Sequence, residues 1–77
     1  MSINNIVFEG EIGDNLKADL TERLQSEFSG YANEINLQNG SIVITGADNR
    51  SKIDISFKNM TEDLQLRLGE KLKSWWL

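Results

Sequence analysis

Cysteine, histidine and proline are all absent from this 77-residue chain. Without cysteine there is no disulfide framework, no thiolate zinc site and no iron–sulfur cluster. Without histidine the chain lacks the usual general base near neutral pH and the commonest transition-metal ligand. The most nucleophilic side chain is missing as well. A carboxylate or lysine site would need a concave, desolvated pocket to shift a pKa, and a domain this small is poorly equipped to build one. The composition therefore predicts a non-catalytic protein with no cofactor and no metal.

Long apolar runs are also missing. None approaches the ~18 residues of a membrane span, and the opening Met1-Ser2-Ile3-Asn4-Asn5 has no positively charged signal region. Together with the lack of cysteine, this predicts a cytoplasmic protein that avoids membranes. Basic charge is scarce: 8 Lys and Arg stand against 12 Asp and Glu, a net charge of −4. Such a balance makes a phosphate-binding surface an unfavourable expectation. A chain of this length buries only about 60% of its unfolded surface. Packing must then supply its few kcal/mol of stability, with a second copy or a partner as the remaining source.

No low-complexity tract, internal repeat or linker interrupts the sequence, so a single domain over residues 1–77 is expected. Residues 5–12 alternate, with Ile6, Phe8 and Ile12 on one face and Val7, Glu9 and Glu11 on the other, the pattern of a half-buried strand. Gly10 lies on the apolar face, where a missing side chain suits a bulge or a close helix crossing. Asp14 is the expected N-cap of a helix carrying Leu16, Leu20, Leu24 and Phe28, and Gly30 its left-handed closing residue.

Asn39-Gly40 is the preferred pair for a type I′ hairpin turn. A turn there pairs Leu37 with Ile42 and Ile35 with Ile44, which predicts strands over 34–38 and 41–46. The segment 47–51 is rich in turn residues and lacks the spacing of a calcium loop. It leads into a third strand of this meander, 52–58, with Ile53, Ile55 and Phe57 inward. Thr61 is placed to cap a last helix bearing Leu64, Leu68, Leu72 and Trp75, with Glu62 and Asp63 in its first turn and Lys71 and Lys73 near its end. Gly69 interrupts that helix at a cost of about 1 kcal/mol against Ala.

The resulting fold class is α+β, a two-layer sandwich of order β-α-β-β-β-α with two helices on one face of a mostly antiparallel four-stranded sheet. The first strand joins beside the second, beside the fourth, or against another chain. From Asp14 onward the α-β-β-β-α order is similar to that of double-stranded-RNA-binding domains. Those need a basic cluster leading the last helix, and Glu62 and Asp63 stand there instead, so the similarity of order carries no expectation of RNA binding.

Three surface features are candidates for binding. The first is the polar open face of the sheet, although an ordinary solvated face has the same composition. The second is charge asymmetry: the first thirty-four residues hold Glu9, Glu11, Asp14, Asp19, Glu22, Glu27 and Glu34 against Lys17 and Arg23 alone. That bias predicts attraction to a basic protein surface, and equally serves solubility. The third is the aromatic tail, where Leu66, Leu77 and Trp76 form a docking patch unless Trp76 caps the core. The partner-binding candidates are accordingly Asp19, Glu22, Leu66, Trp76 and Leu77.

These features together predict a non-catalytic protein-binding domain, in the form of a small acidic regulator or inhibitor of the kind phages and mobile elements encode. It would occlude a basic site on another protein. The alternatives are a homodimer closed by the first strand or the Leu66/Trp76/Leu77 patch, and weak nucleic-acid binding through Arg50, Lys52, Lys58, Lys71 and Lys73.

Overall fold

Phe28, Ala32 and Ile35 are spaced by four and three residues, the interval that stacks side chains on one side of a helix. The computed structural model, which describes residues 2–47 and 52–76, shows that this interval governs the middle of the chain. In chain order the elements are β1 (Ile6–Glu11), α1 (Asp14–Glu27), a 3-10 turn (Ser29–Tyr31), α2 (Ala32–Leu37), β2 (Ser41–Ala47), β3 (Asp54–Lys58) and α3 (Glu62–Lys73). The class is α+β, with three α-helices and a three-stranded mixed sheet.

The segment expected to be the 34–38 strand is therefore helical, and no hairpin turns at Asn39-Gly40. A type I′ turn needs positive φ at both central residues, but only Asn39 has it, at 54°. Asn39 instead closes α2. Its N–H donates to the Asn36 carbonyl at 3.0 Å, and the Gly40 N–H donates to the Ile35 carbonyl at 2.8 Å. This paired reach back over the last turn is the Schellman arrangement, in which Asn is the usual second choice after Gly for the left-handed residue. Gly40 is favoured by space rather than by φ: a Cβ there would stand 2.7 Å from Met60 Cγ and 3.2 Å from Ile35 Cγ2, so the Met60 side chain would have to shift. Ile35 is fully buried and Leu37 is 76% exposed, a contrast that strand alternation between i and i+2 does not produce.

The sheet order is β1-β2-β3. β1 runs parallel to β2, with Ile6 opposite Ile42 and Phe8 opposite Ile44. The intervening helices supply the long crossover that parallel neighbours need. β2 and β3 are antiparallel as expected, pairing Ile42 with Phe57 and Ile44 with Ile55. With two strands rather than three between the helical segments, the order no longer matches that of double-stranded-RNA-binding domains. Helix boundaries also differ from expectation. Gly13, not Asp14, is the N-cap of α1, and Gly30 sits in the 3-10 turn rather than closing a helix in the left-handed region. Thr61 does cap α3, its Oγ1 accepting from the Leu64 N–H at 3.3 Å.

All three helices contribute to one core. Leu20, Leu24 and Phe28, then Ala32 and Ile35, then Leu64, Leu68 and Leu72 meet Ile42 and Ile44 of the central strand. The partly buried Ile6, Phe8, Ile55 and Phe57 complete that face of the sheet. The opposite face carries Val7, Glu9 and Glu11 on β1, Ser41, Val43 and Thr45 on β2, and Asp54, Ser56 and Lys58 on β3. Gly10 and Gly46 are cross-strand partners with φ of 95° and 142°. A Cβ on Gly10 would fall 2.1 Å from the Gly46 carbonyl oxygen, and one on Gly46 2.3 Å from the Lys52 carbonyl oxygen. The close neighbour of Gly10 is thus the backbone of β2, not the crossing helix expected there.

Two glycine substitutions should have opposite signs. Gly10→Ala is expected to cost roughly 2 kcal/mol or more, since it combines a left-handed backbone with a backbone clash. A Cβ at Gly69 meets nothing within 4 Å, so Gly69→Ala should stabilise α3 by about 1 kcal/mol. Thermal denaturation would read this as a rise of about 4–8 °C. No rise for Gly69→Ala would show that α3 does not tolerate the side chain.

Candidate interaction surface

Charge on this protein is sorted by the helix packing. Arg67 on α3 grips Glu34 of α2 with two nitrogens, Nη1 donating to Oε1 at 3.1 Å and Nη2 to Oε2. Its Nε donates to Asp63 Oδ2 at 3.1 Å, and its guanidinium carbon lies 5.8 Å from the centre of the Tyr31 ring. The hydrogen bonds to Glu34 raise the guanidinium pKa further above its ordinary value, against a smaller opposing effect of desolvation and with help from Asp63. Arg67 therefore stays charged at every accessible pH, and this planar clamp ties α2 to α3.

The other ion pairs follow the same division. Arg23 Nε lies 3.0 Å from Glu27 Oε2, Lys71 Nζ 3.8 Å from Glu27 Oε1, and Lys73 Nζ 3.8 Å from Glu70 Oε1. Among the described residues, these contacts engage Arg23, Arg67, Lys71 and Lys73. Among the described residues they leave Glu9, Glu11, Asp14, Asp19, Glu22, Asp54 and Glu62 without an ion pair. Five of these seven belong to β1 and α1, and all seven are exposed. Lys17 is the one unpaired cation described within that unit.

Asp19 and Glu22 line a recess of about 280 Å³ on α1 together with Leu20, Arg23 and Ser26. Leu66 is 64% exposed and lies instead in an open groove of about 610 Å³ beside Tyr31, Arg67, Glu70 and Lys71. Trp76 belongs to neither. It packs against the core, and its ring meets Trp75 edge-on at 5.9 Å. Trp75 in turn meets Phe28 at 6.2 Å, Phe28 meets Phe57 at 6.0 Å, and Arg23 lies 5.1 Å over the Trp75 ring. Trp76 is thus half-buried against the core rather than fully exposed. Leu77 lies outside the described residues, as does the 48–51 part of the turn-rich connection.

Two side-chain amides that sequence pattern did not single out anchor the start of the chain. Gln25 on α1 accepts from the Ile3 N–H at 2.8 Å and donates to the Ile3 carbonyl at 3.1 Å. Asn36 on α2 accepts from the Asn4 N–H at 2.9 Å and donates to the Ser2 carbonyl at 2.7 Å. Each amide imitates a peptide group, so residues 2–4 are held as though by neighbouring strands. Their sequence signal is weak, because an isolated Gln or Asn on a helix reads as solvated.

Stability measurements should separate these positions. Asp19→Asn, Glu22→Gln and Leu66→Ser are expected to stay within about 0.5 kcal/mol of the parent in urea denaturation. Trp76→Ala should cost about 1–3 kcal/mol, because it strips an aromatic contact and core cover. Equal losses at Leu66 and Trp76 would contradict this division. Compared with protein-family models, curated proteins and solved structures, the chain matches none.

Proposed function

We propose that this protein is a non-catalytic binding domain whose acidic β1–α1 unit docks on a basic surface of another protein and occludes it. The observation that carries this reading is the uneven use of charge. Four of the described cations are engaged by acids of the α1 C-terminus, α2 and α3, while Glu9, Glu11, Asp14, Asp19 and Glu22 are left to solvent. Unpaired charge of one sign steers a partner of the opposite sign and selects against like-charged ones. Occlusion suits a domain without histidine or cysteine, since it needs only shape and charge. A small regulator or inhibitor of this kind fits the composition and size, and a phage or mobile-element setting would supply such a partner. A cytoplasmic location is part of the same proposal.

The test compares two immobilised forms, the parent chain and a Glu9→Gln/Glu11→Gln/Asp19→Asn/Glu22→Gln variant, challenged with soluble extract. The parent should retain a basic protein that elutes as salt is raised, because screening shortens to roughly 3 Å at 1 M. The variant should fold normally and lose that protein. Equal retention on both forms, or no salt-sensitive partner at all, would remove the proposal.

A further inference from the structure

The sheet has two edges, β1 and β3, and β3 is matched to itself. The Ile42 N–H donates to the Asn5 carbonyl at 2.9 Å, so the backbone groups of Ile42 and Ile44 face β1. Those of Ser41, Val43 and Thr45 then face β3 and pair with Lys58, Ser56 and Asp54. By alternation, the N–H and C=O groups of Ile55 and Phe57 point away from the sheet. No hydrogen bond to them is present among the described residues. Ile55 and Phe57 are also only partly buried, so their side chains are incompletely covered on the core face.

From these features we infer that β3 is a self-association edge, and that its occupant is a second copy of this chain. The two β3 strands pair antiparallel about a two-fold axis at Ser56. In this register Ile55 of one copy lies opposite Phe57 of the other, and the outward backbone groups of both meet as hydrogen-bonded pairs. Asp54 then faces Lys58 of the second copy, and Lys58 faces its Asp54. Both residues are exposed, and neither has an ion pair among the described residues. Opposite charges placed directly across strands are favourable and like charges are not. β1 offers no such match: its charged residues are Glu9 and Glu11, so two copies joined there bring acids together. The product is a six-stranded sheet. Five residues of edge make a small interface, so the association is expected to be weak.

Charge exchange tests the register. Asp54→Lys and Lys58→Asp each replace two attractive pairs with two repulsive ones, whereas the double exchange restores them in reverse. Sedimentation equilibrium from micromolar to millimolar protein should show dimer in the parent. The association constant should fall about tenfold or more in each single variant and recover in the double variant. Both substitutions are at exposed positions, and circular dichroism checks that each of the three variants folds. In the parent, amide NMR signals of Ile55 and Phe57 should shift on dilution while those of Val7 and Glu9 stay fixed. A parent that stays monomeric throughout, a double variant that does not recover, or dilution shifts centred on β1 would each overturn the inference.

Discussion

The corner formed by residues 36–40 has to turn a helix into the central strand within three residues, and the other segments are hung from it. The Schellman closure at Asn39 and Gly40 ends α2 and releases the chain as β2. Outward-facing groups of the same corner then receive everything nearby. Asn36 holds residues 2 and 4, and the Gly40 carbonyl accepts from Asn5 Nδ2 at 3.4 Å. Asn59, itself left-handed at φ 61°, donates to the carbonyls of Gln38 and Asn39, while Gln38 Oε1 accepts from the Thr61 N–H. The lead-in to β1 and the turn from β3 into α3 are thus positioned by one helix end. The absence of a side chain on Gly40 lets Met60 close over it.

Much of this was legible in the residues, and the part that was not has two causes. The alternation in β1 and β3 and the four-residue steps of Leu20 to Phe28 and Leu64 to Leu72 each have a single physical interpretation. Residues 34–38 have two. Ile35 and Leu37 alternate like a strand, and Asn39-Gly40 suits a hairpin as well as a helix end. The deciding fact is the helical interval from Ala32 to Ile35, which places Ile35 in the core and Leu37 in water. Local pattern lost to tertiary burial because Ala32 is a weak apolar marker. The amide anchors at Gln25 and Asn36 were invisible for another reason: their partners lie 22 and 32 residues away.

The binding candidates divided along similar lines. Exposure at Asp19, Glu22 and Leu66 follows from helix phase alone, so those positions could be read directly. Trp76 could not, because it follows the last turn of α3 and its direction depends on the Phe28–Trp75 contact beneath it. Burial of that cluster leaves Trp75 Nε1 without an acceptor among the described residues. An indole N–H hidden in this way costs about 1–3 kcal/mol, which the surrounding aromatic packing must exceed. Trp75 and Trp76 therefore contribute cover to the core.

Charge itself is partitioned by strand order. β1, with Glu9 and Glu11, lies at one edge of the sheet, and β3, with Asp54 and Lys58, at the other. The central strand separates two surfaces of different electrostatic character, one of single sign and one self-complementary. Pairing through β3 would leave both β1 strands as the outer edges of the joined sheet, with the acidic surfaces facing away from each other. A dimer of that geometry presents two acidic units at a fixed separation. Against a partner with repeated basic sites, the second contact becomes intramolecular, and modest single contacts gain by effective concentration where the spacing matches. A short strand with one acid and one lysine at matching positions would therefore have a consequence beyond its own small interface: it would decide whether the proposed acidic surface acts singly or as a pair.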